Sequence, residues 1–216
     1  MKKNKIKLNE ELNRMLELAG SNLINGKHLV VVDIQPEYQS GFDRHFLNEF
    51  INFLNENYEH LSALTFLFNG PDTLGMISEN EYKYWWLENG LDEHIIDSAT
   101  FYDKGYAFFR YCMDSDIDEN QIVNLVKYMI EKHVNDTREL DKEFWNEFIE
   151  RFGDDDIRDL LETSDDMINI PDLMSFLKNY RGVVLCGGGV NECLKEVEIA
   201  LKALNIPFNL LTKFIY

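Results

Sequence analysis

The chain has 216 residues, of which 39 are Asp or Glu and 21 are Lys or Arg, so its formal net charge at pH 7 is −18. A hydrophobic content of 45% is typical of a globular protein with a substantial core. Because so acidic a surface repels phosphates, we expect neither nucleic acid nor a membrane as a partner. Three widely spaced cysteines form no disulfide framework, which favours a cytoplasmic protein.

The first half of the chain alternates between amphipathic helix patterns and short apolar runs. Neither a signal peptide nor a span long enough for a bilayer is predicted. Apolar residues at helical spacing predict helices over 8–19 and 46–58. Short apolar runs predict buried strands at 28–33, at 61–68 and over a third stretch that joins 95–96 to 100–102. The aromatic residues at 82–86 are compatible with a pocket wall or with the core.

Residues 114–172 differ from the rest, with 19 acidic and 6 basic residues. Their apolar stripes predict helices, and we expect the carboxylates to form solvated faces. We expect about 114–170 to be a helical insert outside the sheet that narrows access to a site. Phe144, Trp145 and Phe148 would then leave an apolar patch, which makes a homo-oligomer plausible.

The last part of the chain contains a glycine turn between a predicted strand and a predicted helix. The run 182–186 is short and β-branched, the next three residues are glycines, and a helical pattern starts at Leu194. Cys193 therefore lies near a helix N-terminus, where the helix dipole favours a thiolate. The same pattern also fits a phosphate-binding turn or a cysteine used as a small apolar residue. A helix over 172–180 and a final strand over 208–215 are predicted around it.

Two further polar residues follow predicted strands. Asp33 ends the first apolar run, where a carboxylate loses hydration unless it has a partner or a role. It is equally compatible with an Asx turn. Lys104 follows the third predicted strand and, taken alone, reads as a surface lysine.

In this order and with these flanks, the three residues resemble the isochorismatase-like cysteine hydrolases. The run from Val30 to Gln35 is similar to the first strand of that family with its D-x-Q ending, and Tyr38 stands where the family has an aromatic residue. Lys104 precedes a small residue and Phe108, as the family lysine does. The stretch 187–193 resembles the family's G-x-x-T-[DN]-x-C turn, with valine in place of threonine.

The resemblance implies a single domain over 1–216, a three-layer α/β/α sandwich with a mostly parallel sheet. Cys193 would be the nucleophile, Asp33 its base and Lys104 the residue that holds both. The turn residues Gly188 and Gly189, together with Cys193, would form the oxyanion hole, with a cis peptide bond before Gly189. We further expect the substrate to contact three side chains, those of Tyr38, Asn69 and Phe108.

The implied substrate is a small molecule with an amide or related C–N bond. Nicotinamidases of this family bind a metal through an aspartate and histidines, but here Asp72 has no histidine near it, so we expect neither a metal nor another cofactor. Two other functions fit the sequence. One is hydrolysis of a vinyl ether, and the other is an inactive scaffold that binds partners through the acidic insert.

Overall fold

The computed structural model of the protein describes residues 23–71, 76–104, 118–134, 140–153, 157–158 and 172–216. The strands are β1 (His28–Val32), β2 (Ala63–Phe68), β3 (Thr100–Asp103), β4 (Val183–Gly187) and β5 (Phe208–Leu210). The helices are α1 (Arg44–Asn57), α2 (Glu79–Glu88), α3 (Glu93–Ser98), α4 (Glu119–Lys132), α5 (Lys142–Phe152), α6 (Asp172–Leu177) and α7 (Cys193–Ala203). Within these ranges no helix has the length and apolar character needed to cross a membrane.

The five strands form one parallel sheet in the order β3-β2-β1-β4-β5. Strand β1 is central, because His28 lies opposite Ala63 of β2 on one side and Val183 of β4 on the other. The chain builds the sheet outward from β1 through β2 to β3, then returns to the other side of β1 for β4. The strand order therefore reverses between β1 and β4, which is where open α/β sheets bind their ligands.

Helices cover both faces of the sheet, so the architecture is the three-layer α/β/α sandwich predicted from the sequence. Successive side chains of a strand point to opposite faces. Leu29 and Val31 belong to the core cluster under α1, α2 and α3, whereas Val30 and Val32 belong to the cluster under α4, α5, α6 and α7. All four side chains are buried, as expected for a parallel sheet covered on both faces.

Side chains that satisfy free backbone N–H groups fix the starts of several helices. Asp43 accepts a hydrogen bond from the first turn of α1. Ser78 and Glu81 form a reciprocal capping box at α2, and Asp118 and Gln121 form another at α4. These local signals help to set where the chain changes from loop to helix around the sheet.

Two strand predictions need correction. Ile95 and Ile96 lie in α3 rather than in a strand, and their side chains are buried under β2 and β3. The final strand ends at Leu210, because a 3₁₀ helix (Thr212–Phe214) follows it after Leu211. Leu211 and Phe214 are both buried. A short apolar run does not by itself distinguish a strand from a buried helix turn.

The aromatic residues at 82–86 divide between the core and the surface. Tyr82 and Trp86 are fully buried, and their rings contact Phe66 in the middle of β2. Tyr84 is 60% exposed on the opposite side of α2. The core interpretation therefore holds for Tyr82 and Trp86.

The described part of the acidic insert is helical, but its aromatic residues are not exposed. Phe144, Trp145 and Phe148 on α5 are at most 7% exposed, and the rings of Phe144 and Phe148 contact Tyr128 on α4. Helix α4 in turn packs on α7 and the sheet. The expected apolar patch is therefore wrong, since the two helices cover each other's apolar stripes. The helix predicted at 8–19 and most of the stretch 154–170 lie outside the described residues.

Gly187, the last residue of β4, leaves no room for a side chain beside β1. This residue has a φ of +78°, and a Cβ added to it would lie 2.3 Å from the carbonyl oxygen of Val32. Only glycine therefore allows the chain to leave β4 while β1 stays paired beside it. The turn that leads to Cys193 depends on this contact.

We predict that Gly187→Ala lowers the free energy of unfolding by more than about 2 kcal/mol, because it adds a backbone clash to a left-handed conformation. Urea denaturation provides the measurement. The matched control is Gly153→Ala, since Gly153 has a similar φ of +72° and an added Cβ meets nothing within 4 Å. Its cost should be only about 1 kcal/mol. Equal losses in the two variants would contradict the close approach.

Candidate active site

Polar residues follow consecutive strands at one edge of the sheet. Asp33 comes directly after β1, Asn69 after β2 and Lys104 after β3, and Cys193 begins α7 after the glycine turn that follows β4. Because all the strands are parallel, these carboxyl ends lie side by side. The structure therefore brings Asp33, Lys104 and Cys193 together, at the point where the strand order reverses.

A buried lysine between two carboxylates forms the centre of this cluster. The ammonium Nζ of Lys104 lies 3.1 Å from Oδ2 of Asp33 and 2.8 Å from Oε2 of Glu196, and all three side chains are buried. Burial alone would lower the pKa of Lys104, but the two carboxylates outweigh it and hold the pKa well above the usual value. Lys104 is therefore a permanent cation at neutral pH rather than the surface lysine that its sequence context also allowed.

Glu196 is the residue of this cluster that the sequence analysis missed. It lies one turn after Cys193 on α7, at the i,i+3 spacing that places two side chains on the same helix face. Its neighbours Val197, Ile199 and Ala200 are buried apolar residues. An acidic residue within an apolar helix stretch, one turn from a candidate nucleophile, was the signal that could have revealed it.

The two carboxylate oxygens of Asp33 have different surroundings. Oδ2 lies near Lys104 and accepts a hydrogen bond of 3.4 Å from Nδ2 of Asn69. Oδ1 is buried and makes no hydrogen bond of normal geometry in the described part of the chain. Burial raises the pKa of Asp33, although Lys104 and a contact with the Cys193 thiol oppose the shift. Asp33 is therefore a stronger base than an ordinary aspartate.

The thiol of Cys193 interacts directly with the carboxylate of Asp33. Burial, then the negative charge of Asp33, raises the pKa of Cys193, and Lys104 offsets only part of this rise. The expectation that the surroundings of Cys193 favour its thiolate is therefore wrong for the protein at rest. The sequence suggested a helix N-terminus and a cation, but burial and the charge of Asp33 outweigh the effect of the cation. Cys193 is a neutral thiol at neutral pH.

Two backbone N–H groups of the glycine turn and the start of α7 are without a partner among the described residues. The N–H groups of Gly189 and Cys193 make no hydrogen bond to another described residue. A Cβ on Gly188 would lie 2.9 Å from the backbone nitrogen of Leu194, so this position has no room for a side chain. The peptide bonds of the described residues are all trans, including the one before Gly189, which the resemblance implied to be cis.

Tyr38 and Asn69 line the same edge and are joined by hydrogen bonds. Nδ2 of Asn69 donates to the Tyr38 hydroxyl over 2.8 Å, and the Asn69 backbone N–H donates to Oε1 of Gln35 over 3.0 Å. Burial, followed by the charge of Asp33, raises the pKa of Tyr38 to about 12, so its hydroxyl stays neutral. Asn69 thus connects the end of β2 to both Asp33 and Tyr38.

Tyr216 is a second residue that the sequence analysis missed. Its hydroxyl donates a 2.7 Å hydrogen bond to the backbone carbonyl of Asp33, which has a left-handed φ of +48°. Its own backbone bonds to Gly188 and Val190 on the glycine turn. Tyr216 therefore joins the turn before Cys193 to the backbone of Asp33. No local pattern marks it, because these contacts connect distant parts of the chain.

Several expectations concern residues beyond the described ranges. Phe108 and Asp72 both lie outside them. Within the described ranges, no group of three or more His, Cys, Asp or Glu side chains has the arrangement of a metal site.

Comparison of the chain with protein-family models, with curated proteins and with solved structures finds no match. The likeness to isochorismatase-like hydrolases therefore rests on the three sequence motifs.

We predict that Tyr216→Phe lowers the free energy of unfolding by about 1 kcal/mol, the value of one hydrogen bond, and also changes the alkylation rate of Cys193. The control is Tyr180→Phe, because the Tyr180 hydroxyl shares a 3.2 Å hydrogen bond with Thr65 far from the turn. It should lower stability comparably and leave the alkylation rate unchanged. Denaturation and iodoacetamide kinetics measure the two effects. Unchanged Cys193 reactivity in Tyr216→Phe would contradict a role for Tyr216 in the site.

Proposed function

We propose that the protein is a cysteine hydrolase that cleaves a small amide or related C–N bond through a thioester on Cys193. The observation that carries the proposal is the meeting of a thiol, a carboxylate of raised pKa and a permanent cation at the reversal point of the sheet. A thiol nucleophile needs an adjacent base when its own pKa is high. In the proposal Asp33 is that base, because its carboxylate interacts with the thiol.

In the first half of the proposed reaction, Oδ1 of Asp33 takes the proton of the Cys193 thiol as the sulfur attacks the carbonyl carbon. The N–H groups of Gly189 and Cys193 stabilise the oxyanion that forms. When the C–N bond breaks, the leaving nitrogen takes the proton from Asp33 and departs as an amine. Asp33 is again a carboxylate, and the acyl group is bound to sulfur.

In the second half, Asp33 takes a proton from a water molecule that attacks the thioester carbon. The C–S bond breaks, the sulfur takes back the proton, and the acyl group leaves as a carboxylic acid. Lys104 stays protonated throughout and stabilises the Asp33 carboxylate in the steps in which Asp33 is charged. Asn69 keeps the carboxylate oriented through its contact with Oδ2.

Mass spectrometry with a panel of small primary and secondary amides tests the proposed function directly. We expect acid-quenched samples to carry an acyl group on Cys193, and we expect Cys193→Ala to abolish both the adduct and amine release. Cys186→Ala is the matched control, because burial raises the pKa of Cys186 inside β4 and keeps this thiol unreactive. A panel without any adduct or release would favour the scaffold function, and turnover of a vinyl ether alone would favour the third candidate.

The Asp33→Asn variant distinguishes the role of Asp33 as a proton acceptor from the effect of its negative charge on the thiol. We predict that it accelerates iodoacetamide alkylation of Cys193 at pH 7 by about tenfold, because a negative charge that raises the thiol pKa is lost while Lys104 remains. Amide hydrolysis should fall by at least about a hundredfold, since no group then accepts the proton during attack. Peptide mass spectrometry follows alkylation, and amine release follows hydrolysis. Slower alkylation together with unchanged hydrolysis would exclude Asp33 as the base.

A further inference from the structure

Glu196 has no role in the three-residue set that the sequence suggested, yet it makes the shorter contact with Lys104. We propose that Glu196 is a positioning residue of the site, which holds the Lys104 ammonium between two carboxylates and offsets its attraction for a Cys193 thiolate. The distances that support this are 2.8 Å from Lys104 to Glu196 and 3.1 Å from Lys104 to Asp33.

The position of Glu196 on α7 ties its effect to the nucleophile. Cys193 and Glu196 are separated by one helical turn, so the carboxylate and the thiol approach Lys104 from the same helix face. A buried lysine with a single carboxylate partner would leave much of its charge to stabilise a nearby thiolate. A second carboxylate reduces that stabilisation, because it acts on the cation at short range in a site of low polarity.

Apart from Asp33, no other described carboxylate within salt-bridge distance of Lys104 supplies this effect. The charged and titratable groups of the described residues that interact electrostatically with Cys193 or with Asp33 include Asp33, Tyr38, Tyr82, Asp103, Lys104, Glu196 and Tyr216. The three tyrosines are neutral at pH 7, since burial raises the pKa of each. Asp103 accepts a hydrogen bond from the backbone N–H of Gly70. Among the described residues, Asp33 and Glu196 are the carboxylates within salt-bridge distance of the Lys104 ammonium.

The biological meaning of this inference rests on the proposed function, in which Cys193 is the nucleophile. A neutral thiol resists oxidation and nonspecific alkylation, because the thiolate is the reactive form. Glu196 thereby reserves the nucleophile for the moment when Asp33 accepts its proton during attack on the substrate. Its role is exerted through Lys104.

Glu196→Gln tests the inference, because glutamine keeps the size and a hydrogen-bond acceptor for Lys104 but removes the charge. The measurement is the rate of iodoacetamide alkylation of Cys193 across pH, read by peptide mass spectrometry. We expect the midpoint to move to lower pH by about one unit, which is a roughly tenfold faster reaction below the midpoint. Glu196→Ala should move the midpoint in the same direction.

The matched control is Glu198→Gln. Glu198 lies on the same helix, is also nearly buried and also contacts lysines, but these are Lys195 and Lys202, which are not part of the site. Its midpoint should stay at the wild-type pH. A midpoint unchanged in Glu196→Gln, or an equal shift in Glu198→Gln, overturns the inference.

Denaturation confirms that each variant is folded before its pH profile is compared. If Glu196→Gln does not fold, Glu196→Asp applies the same test, since the shorter carboxylate retracts from Lys104 and should give a smaller shift in the same direction. No shift in Glu196→Asp would then overturn the inference. Because alkylation needs no turnover, a shifted midpoint in a protein that hydrolyses no amide would separate this inference from the proposed function.

Discussion

The candidate site depends on three charges that have been removed from water together. Lys104 lies between Asp33 and Glu196, and each member comes from a different part of the fold: the loop after β3, the end of β1 and helix α7. Removing one partner from such a buried group leaves an uncompensated charge, which costs about 3–5 kcal/mol. The trio therefore joins the central strand, an outer strand and the helix that carries the thiol, and it fixes the distances between them.

The same trio determines the chemistry that the thiol can perform. A cysteine with a low pKa attacks as a preformed thiolate and reacts with many electrophiles. Here burial and the two carboxylates keep Cys193 protonated, so in the proposed reaction the attack coincides with proton transfer to Asp33. A site of this kind favours substrates that hold their carbonyl close to both the sulfur and the turn N–H groups. Selectivity then comes from geometry more than from nucleophile strength.

The central features of the fold were predictable because they are local. Short apolar runs marked β1, β2 and β4, and three glycines marked the sharp exit from β4. The convergence of Asp33, Lys104 and Cys193 follows from strand direction, since the carboxyl ends of parallel strands share one edge. For this reason the positions of the candidate site residues could be predicted although their contacts could not.

The missed features depend on contacts between distant parts of the chain. The pKa of Cys193 follows from burial and from Asp33 and Glu196, none of which the helix start reveals. Tyr216 contacts Asp33, although the two residues lie far apart in the sequence. The aromatic stripe of α5 had the pattern of a surface helix. Its burial became clear only from the packing of α5 on α4. Helix periodicity identifies an apolar face but not what covers it.

The register of the central strand has a consequence for the order in which the molecule folds. Strand β1 pairs with β2 soon after it in the chain, but its other neighbour, β4, comes near the end. Contacts between such distant segments require closure of a long loop and form slowly. Asp33 and Lys104 can meet when β1, β2 and β3 are paired, whereas Cys193 and Glu196 arrive only with β4 and α7. We therefore expect the lysine to acquire its second carboxylate, and the thiol its contact with Asp33, late in folding.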